Sequence, residues 1–445
     1  MLLNFRVSNF LSFNREVEFS MLSGQVKQME HHTTHLGKGN LGVLKGAVLY
    51  GANASGKSNL IKAVDFARQV VLSGIKKIHT RHLFFLLEKG TEEKPSKFEL
   101  EIKIGDKVYA YGFVLHLKSG KVIEEWLFEV KKAGDKVLFE RKVGADGKSE
   151  VQCKLPLRGT AASRFNVYVA DLSNEQLLVH ELHDKQGDEF AIFGLIYHWL
   201  QKQLVIFYPD SSYYGLGEFI RGSAKNEFCA YLHYFKTGID DVEAEEEEPL
   251  DETELKFEPI QINLSEVIGQ TNHLFGTEQM RAISTDEEGG MDFYRIMGKY
   301  RIQGTNDTVM LDLGRESDGN RRLLDIIPHL IIMDHTPKTV FIDEVDRSLH
   351  PELTRRLLEV FFQKNRQPES QLILTTHESS LLDLNLLRRD EIWFAEKNAA
   401  GESNLYSLEE FKPRFDTEIR KAYLQGRYGA IPFISDTSQL GWQKN

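Results

Sequence analysis

Within the stretch LYGANASGKSNLIKAV, residues 49–64, Gly51 is followed after four residues by Gly56, Lys57 and Ser58. Glycines at that spacing let backbone N–H groups close around phosphate oxygens, and a helix starting at the loop adds a partial positive charge. The chemistry this predicts is nucleotide binding by Gly51, Asn53, Ala54, Ser55, Gly56, Lys57, Ser58 and Asn59. Lys57 would reach the β- and γ-phosphates and the Ser58 hydroxyl would ligate Mg²⁺. A second set of reactive residues lies in KTVFIDEVDRSLHP, 338–351, where an apolar run ends in two acids. A carboxylate at the end of such a strand can hold Mg²⁺, the role assigned to Asp343. Glu344, next along, is placed to polarise the attacking water as general base. A third set is SQLILTTHESSLL, 370–382, another apolar run, ending in Thr-Thr-His. His377 is the candidate for contact with a γ-phosphate or the attacking water. Catalysis is thereby assigned to Lys57, Glu344 and His377.

These residues need strands that end together and a helix that begins at the phosphates. GAVLY, 46–50, reads as a short buried strand, and the segment after the loop has the apolar spacing of a helix. Between the loop and the acidic pair, GRESDGNRRLLDIIPHL, 314–330, sets Ser317 and Gly319 ahead of an amphipathic helix. That gives a second anion-sized helix N-terminus, although Ser317 or Asp318 would serve equally as an ordinary N-cap. From 97 to 130, KFELEIKI, GDKVYAYGFVLHL and SGKVIEEWLFEV read as consecutive strands separated by turn chemistry, an antiparallel sheet appended to the nucleotide core. From about 175 to 236, segments such as EFAIFGLIYHWLQKQL and KNEFCAYLHYFKTGI have helical spacing. The run DDVEAEEEEPL, 240–250, is expected to be a solvated loop or, more sharply, a docking site for a basic partner. No repeat and no long heptad run emerges.

The chain of 445 residues has ample core to fold without disulfides, and its two cysteines, Cys153 and Cys229, make neither a disulfide framework nor a cysteine metal site. Its net charge of −11 argues against a globally basic nucleic-acid binder. The N-terminus lacks the order of a signal peptide, and no run reaches the length of a membrane span, so a cytoplasmic protein is expected. In EHHTTH, residues 30–35, His31, His32 and His35 lie close enough to suggest metal ligation, but with no partner at zinc-site spacing a solvated loop is expected.

The order of glycine-rich loop, Ser-x-Gly, FIDEVDRSLHP and TTHESSLL resembles the ABC-type ATPase heads of SMC-like and RecF-like proteins. More narrowly, VSNFLSF, ESDGNRRLL, IDEVDRSLHP and the tail from DEIWFAEKN to YLQGRYGAIP resemble the bacterial AAA ATPases of abortive-infection and phage-defence systems, the AbiL/RloA group and the ATPase of PARIS systems. The resemblance implies an α/β fold with an ABC-type P-loop ATPase head, to which the residue pattern adds an antiparallel β-lobe and a helical insertion that no family motif matches. Together they divide the chain into 1–174, the first part of the head with the β-lobe; 175–258, the insertion ending in the acidic run; and 259–445, the second part. The resemblance implies ATP and Mg²⁺ as cofactors and a homodimer or higher homo-oligomer in which Ser317 and Gly319 of one chain close over nucleotide held by another. Asp318 and Asn320 complete an altered signature loop, His350 stands where many relatives place an aspartate, and no Q-loop glutamine is identifiable. The resemblance also implies a separate effector, often a TOPRIM-type nuclease in that family, and a phage-derived trigger.

Three functions compete: an ATPase that senses infection and holds or releases an effector, a DNA-repair or DNA-clamping ATPase, and a nucleotide-gated binding module with little turnover. Direct DNA binding stays open; a membrane partner is not expected.

Overall fold

The computed structural model describes residues 1–431 apart from 37–40, 133, 145, 214, 248–271, 276–279, 286–290, 365–366 and 415–416. The chain divides into two compact units: Met1–Phe207 with Pro337–Val345 and Leu358–Asn445, and Tyr208–Thr336 with Asp346–Leu357. The first break between these units falls at 207/208, and residues 258 and 259 lie outside the described ones.

In the first unit the core sheet runs in the order Leu204–Phe207, Thr339–Ile342, Gln371–Thr375, Gly46–Tyr50, Ile392–Lys397, Ser403–Ser407. The first five strands are parallel and the last is an antiparallel edge. Parallel strands are covered on both faces, which is why GAVLY, TVFI and QLILT are buried at every position. Lys57–Ser73 forms the helix expected after the glycine-rich loop, with Leu60, Ile61, Val64, Ala67 and Val71 on its buried side.

A seven-stranded antiparallel sheet accompanies this core, in the order Ser149–Cys153, Lys136–Val143, Lys121–Val130, Lys107–His116, Ser96–Ile104, Leu2–Ser8, Val17–Ser20. Its three central strands are those read from alternation and turn residues. The turns fall at Gly105 and Gly120, whose φ values of 58° and 68° suit glycine. Glu125 ties this sheet to the helix Leu178–Leu182: its buried carboxylate accepts from Leu178 N (2.6 Å) and Val179 N (3.1 Å) and faces Arg141 at 3.4 Å. Burial pushes the Glu125 carboxyl up, and these donors oppose the shift.

The segment expected to be a helical insertion carries the helices Leu178–Leu182, Ala191–His198, Leu216–Arg221 and Lys225–Tyr234, but Leu204–Phe207 is a strand of the core sheet. Four apolar residues continuing a helical run carry no periodicity that could separate strand from helix.

The second unit holds a sheet ordered Asp241–Glu247, Met291–Arg301, Met280–Thr285, Asn272–Phe275, with Thr308–Asp312 also paired to Met291–Arg301. The acidic run is therefore a strand over Asp241–Glu247 and not a loop; residues 248–250 lie outside the described ones. Antiparallel pairing sets Glu245 opposite Arg295 and Asp241 opposite Lys299, while Arg281 Nε meets Glu247 at 2.9 Å. Cross-strand cations offset the repulsion that would otherwise leave such a run solvated. The helix Asp318–His335 completes the unit.

Candidate nucleotide site

Because the core strands are parallel, their C-terminal ends share one edge of the sheet, where ligands of open α/β sheets bind. The backbone stitches that edge together: Thr376 N donates to Leu49 O (3.1 Å), Val345 N to Thr375 O (3.1 Å) and Asp343 N to Phe207 O (2.9 Å). Gly51–Asn59, Asp343, Glu344 and His377 all belong to the first unit, and Ser317 and Gly319 to the second.

Two glycines of the loop are required by contact. A Cβ at Gly51 would strike the carbonyl oxygen of Ala395. At Gly56, where φ is 114°, a Cβ would lie 2.5 Å from Ser403 Oγ. Ser403 Oγ in turn donates to Ser55 O (2.7 Å) and lies 2.8 Å from Ser12 Oγ, whose hydroxyl can donate to it, and Asn59 Nδ2 donates to the same Ser12 oxygen (2.7 Å). Ser12 and Ser403 thus brace the loop from outside, a role that composition and spacing do not signal. Asn59 is turned towards that brace.

Lys57 is buried, and its ammonium donates to Gly51 O (2.8 Å) and Ala52 O (3.0 Å), with His377 Nδ1 at 3.5 Å. The loop is folded around its own cation. Ser55 Oγ is buried with no hydrogen-bond partner among the described residues. A phosphate oxygen would relieve that hydroxyl of a cost of about 1–3 kcal/mol. Ala54 adopts φ 61°, and Asn53 is exposed.

Ser58 Oγ donates to Asp343 Oδ1 at 3.1 Å. A hydroxyl and a carboxylate converging in this way are the hard oxygen donors that Mg²⁺ takes, so these residues fit the ion. Asp343 is buried and also accepts from the Thr375 hydroxyl; that hydroxyl accepts from Glu344 N at 2.8 Å. Thr375 is thus the shared anchor of both acids, and only the threonines before His377 hinted at it. Glu344 is half-buried and sits at φ 46°, an uncommon setting for a residue with a side chain. The hydrogen bond to Thr375 supports that conformation and turns the backbone sharply at the strand end.

In the second unit Ser317 is the N-cap of Asp318–His335, its Oγ accepting from Asn320 N at 3.2 Å. Asn320 Nδ2 donates to Glu316 Oε2 (2.6 Å) and to Thr237 O (3.0 Å), and Asp318 pairs with Arg321. A Cβ at Gly319 would lie 2.8 Å from Ser348 O, so close packing alone demands glycine there. His350 is exposed and accepts from Glu352 N (3.2 Å), capping the helix Pro351–Lys364.

The three histidines of residues 30–35 do not form the solvated loop expected. His32 is buried, stacked on Phe362 at 3.6 Å between centroids, and its Nδ1 lies 3.0 Å from both Glu391 carboxylate oxygens. A buried glutamate distant in sequence supplies the partner that local spacing lacks.

With this geometry in view, residues 47–383 match the family model described as "AAA domain, putative AbiEii toxin, Type IV TA system". The match covers well over half of the chain. The chain belongs to this AAA family. No curated protein matches it. Among solved structures, an SMC head bound to the C-terminal winged-helix domain of ScpA is 17% identical with a TM-score of 0.40, covering 93% of this chain and 99% of that one. The SMC head domain of Thermotoga maritima is 13% identical with a TM-score of 0.33, covering 91% and 98%. An SMC head with an extended coiled coil, bound to a ScpA domain derived from Pyrococcus furiosus, is 14% identical with a TM-score of 0.36, covering 93% and 99%. The AAA domain here is α/β, with the glycine-rich loop, the acidic strand and the histidine strand on one mainly parallel sheet. Among the described residues, no helix is long and apolar enough to cross a membrane.

Proposed function

We propose that this AAA protein binds ATP on the Gly51–Asn59 loop, hydrolyses it, and uses its nucleotide state to hold or release a separate effector in defence against phage. The observation that carries the reading is the convergence of Ser58 Oγ and Asp343 Oδ1 at 3.1 Å beside Lys57 and His377. Ser58 and Asp343 would hold Mg²⁺, which supplies charge neutralisation on the β- and γ-phosphates. Lys57 exchanges two loop carbonyls for phosphate oxygens and so binds in place what it now caps. Glu344 orients and polarises the attacking water, and Thr375 keeps it next to Asp343. His377 contacts the γ-phosphate from the neighbouring strand end. Ser317 and Gly319 of a second copy complete the site, so that ATP bridges a homodimer and hydrolysis loosens it.

The matching family's description couples an AAA domain to a toxin and a toxin–antitoxin system, which supports a defence role with a partner protein. Cytoplasmic location follows from that role. Phosphate release from Mg-ATP by the purified protein tests the enzymatic half; a chain that binds nucleotide but never turns over would reduce it to a nucleotide-gated binding module. Recovery of the native protein with its neighbours, before and after phage challenge, tests the other half. A constant effector whose association changes with nucleotide supports the reading, and DNA-stimulated turnover with no protein partner overturns it in favour of a DNA-clamping ATPase.

A further inference from the structure

Glu227, Asp334 and His335 of the second unit each offer one ligand atom, and the three atoms lie within 4.8 Å of one another. Glu227 stands in the first turn of Lys225–Tyr234; Asp334 and His335 occupy the last turn of Asp318–His335, the helix that begins at Ser317. His335 Nε2 already meets Glu227 Oε2 at 3.1 Å. We infer that these side chains form a site for a divalent transition-metal ion of the zinc type, with water completing its shell, that clasps the far end of the Ser317 helix to Lys225–Tyr234.

Two independent features favour an ion. First, the donors are mixed: one imidazole nitrogen and two carboxylate oxygens suit zinc and its neighbours, whereas an all-oxygen set would suit Mg²⁺ or Ca²⁺. Ligands bonded at 2.0–2.1 Å in a tetrahedron stand roughly 3.3 Å apart, so small side-chain rotations bring the three atoms from their present spacing into a shell. Second, Asp334 is only 4% exposed and stands at a helix C-terminus. A cation held there would sit at the negative end of the helix dipole. His335 is about half exposed, which gives the ion an entry path and room for water.

The inference stands apart from the nucleotide site, and its test uses neither nucleotide nor activity. The full chain, stripped with a chelator, is titrated with ZnCl₂ against a colorimetric competitor, with MgCl₂ as control. The expected result is one saturable zinc site per chain that Mg²⁺ does not fill. It weakens more than about tenfold in His335→Ala and in Glu227→Gln, since even outer-shell partners cost that much. His335→Cys, which keeps a ligand atom, retains the site, and His31→Ala with His35→Ala leaves it unchanged. X-ray absorption of the loaded protein should report one imidazole among oxygen donors. No saturable site, or equal affinity in wild type, His335→Ala and Glu227→Gln, overturns the inference.

Discussion

At the scale of single residues, the candidate site rests on a hydroxyl that its own motif does not name. Thr375 Oγ1 donates to Asp343 and accepts from Glu344 N, so one side chain holds the Asp343 carboxylate and the Glu344 backbone. Thr375→Val keeps shape and removes both hydrogen bonds, which leaves a buried carboxylate under-satisfied at a cost of about 1–3 kcal/mol. The expected outcome is a higher Mg²⁺ requirement and turnover lowered by about tenfold, with metal-free nucleotide binding intact; an unchanged Mg²⁺ dependence of phosphate release would remove Thr375 from the site. Glu344→Gln should behave differently. The backbone hydrogen bond from residue 344 survives and Ser58 and Asp343 are untouched, so Mg-ATP should still bind while turnover falls by roughly 10²-fold or more. If filter binding shows that nucleotide is lost too, Glu344 serves structure or metal instead of water. Lys57, Ser58, Asp343, Glu344 and His377 could be named as candidates because phosphate chemistry dictates residue type at fixed spacing from a strand end. Ser12, Ser403 and Thr375 could not, because bracing needs only a small hydroxyl and leaves no spacing to read.

At the scale of elements, the pair His32–Glu391 joins the start of the strand Thr33–His35 to the start of Ile392–Lys397, a direct neighbour of the glycine-loop strand. Burial pushes the Glu391 carboxyl well above its usual range and, with His31, Arg388 and Lys45 adding to the effect, pushes His32 down to about 3. Between pH 3 and 6.5 the unfolded chain therefore binds a proton at His32 that the folded chain does not, so this contribution to stability rises with pH through that window and is complete above 6.5. Glu391 acts in the opposite sense above 4.5 and, in contact with His32, is coupled to it, so the comparison is made with Glu391→Gln in both chains. The stability of the chain with His32 relative to that with His32→Gln should fall as pH is lowered from 7.5 to 5, by at most about 1.4 kcal/mol per unit, measured as the shift in denaturation midpoints. A pH-independent difference would mean that His32 titrates normally. This contact was invisible in EHHTTH for the same reason that Asp241–Glu247 was misread as a loop: the partners, Glu391 in one case and Met291–Arg301 in the other, are remote in sequence. Alternation with glycine turns made the strands at 96–130 legible, whereas the apolar run Leu204–Phe207 lacked any period of its own.

At the scale of the whole molecule, Lys57 and Ser317 belong to different compact units, and the proposed function requires them to meet between two copies of the chain. Ser317 already has an ordinary duty as N-cap, so loss of the hydroxyl alone would confuse helix stability with pairing. Ser317→Arg asks the sharper question, because it adds bulk and charge at the surface that must close. Nucleotide binding by the single chain should persist, ATP-dependent dimerisation and turnover should be lost, and circular dichroism should show the helix content retained. Lys57→Ala should be inactive for the opposite reason, having lost the cation that holds phosphate. Mixed in equal amounts, the two variants generate some dimers with one site that combines an intact Lys57 from one chain and an intact Ser317 from the other. Phosphate release should therefore return to a fraction of the wild-type rate, set by the share of mixed dimers. If tagged variants co-purify as mixed dimers and turnover stays at background, a photocrosslinker at position 317 decides what failed: a crosslink to nucleotide held by the partner chain means that both sites must fire together, and its absence in the presence of ATP defeats the shared site.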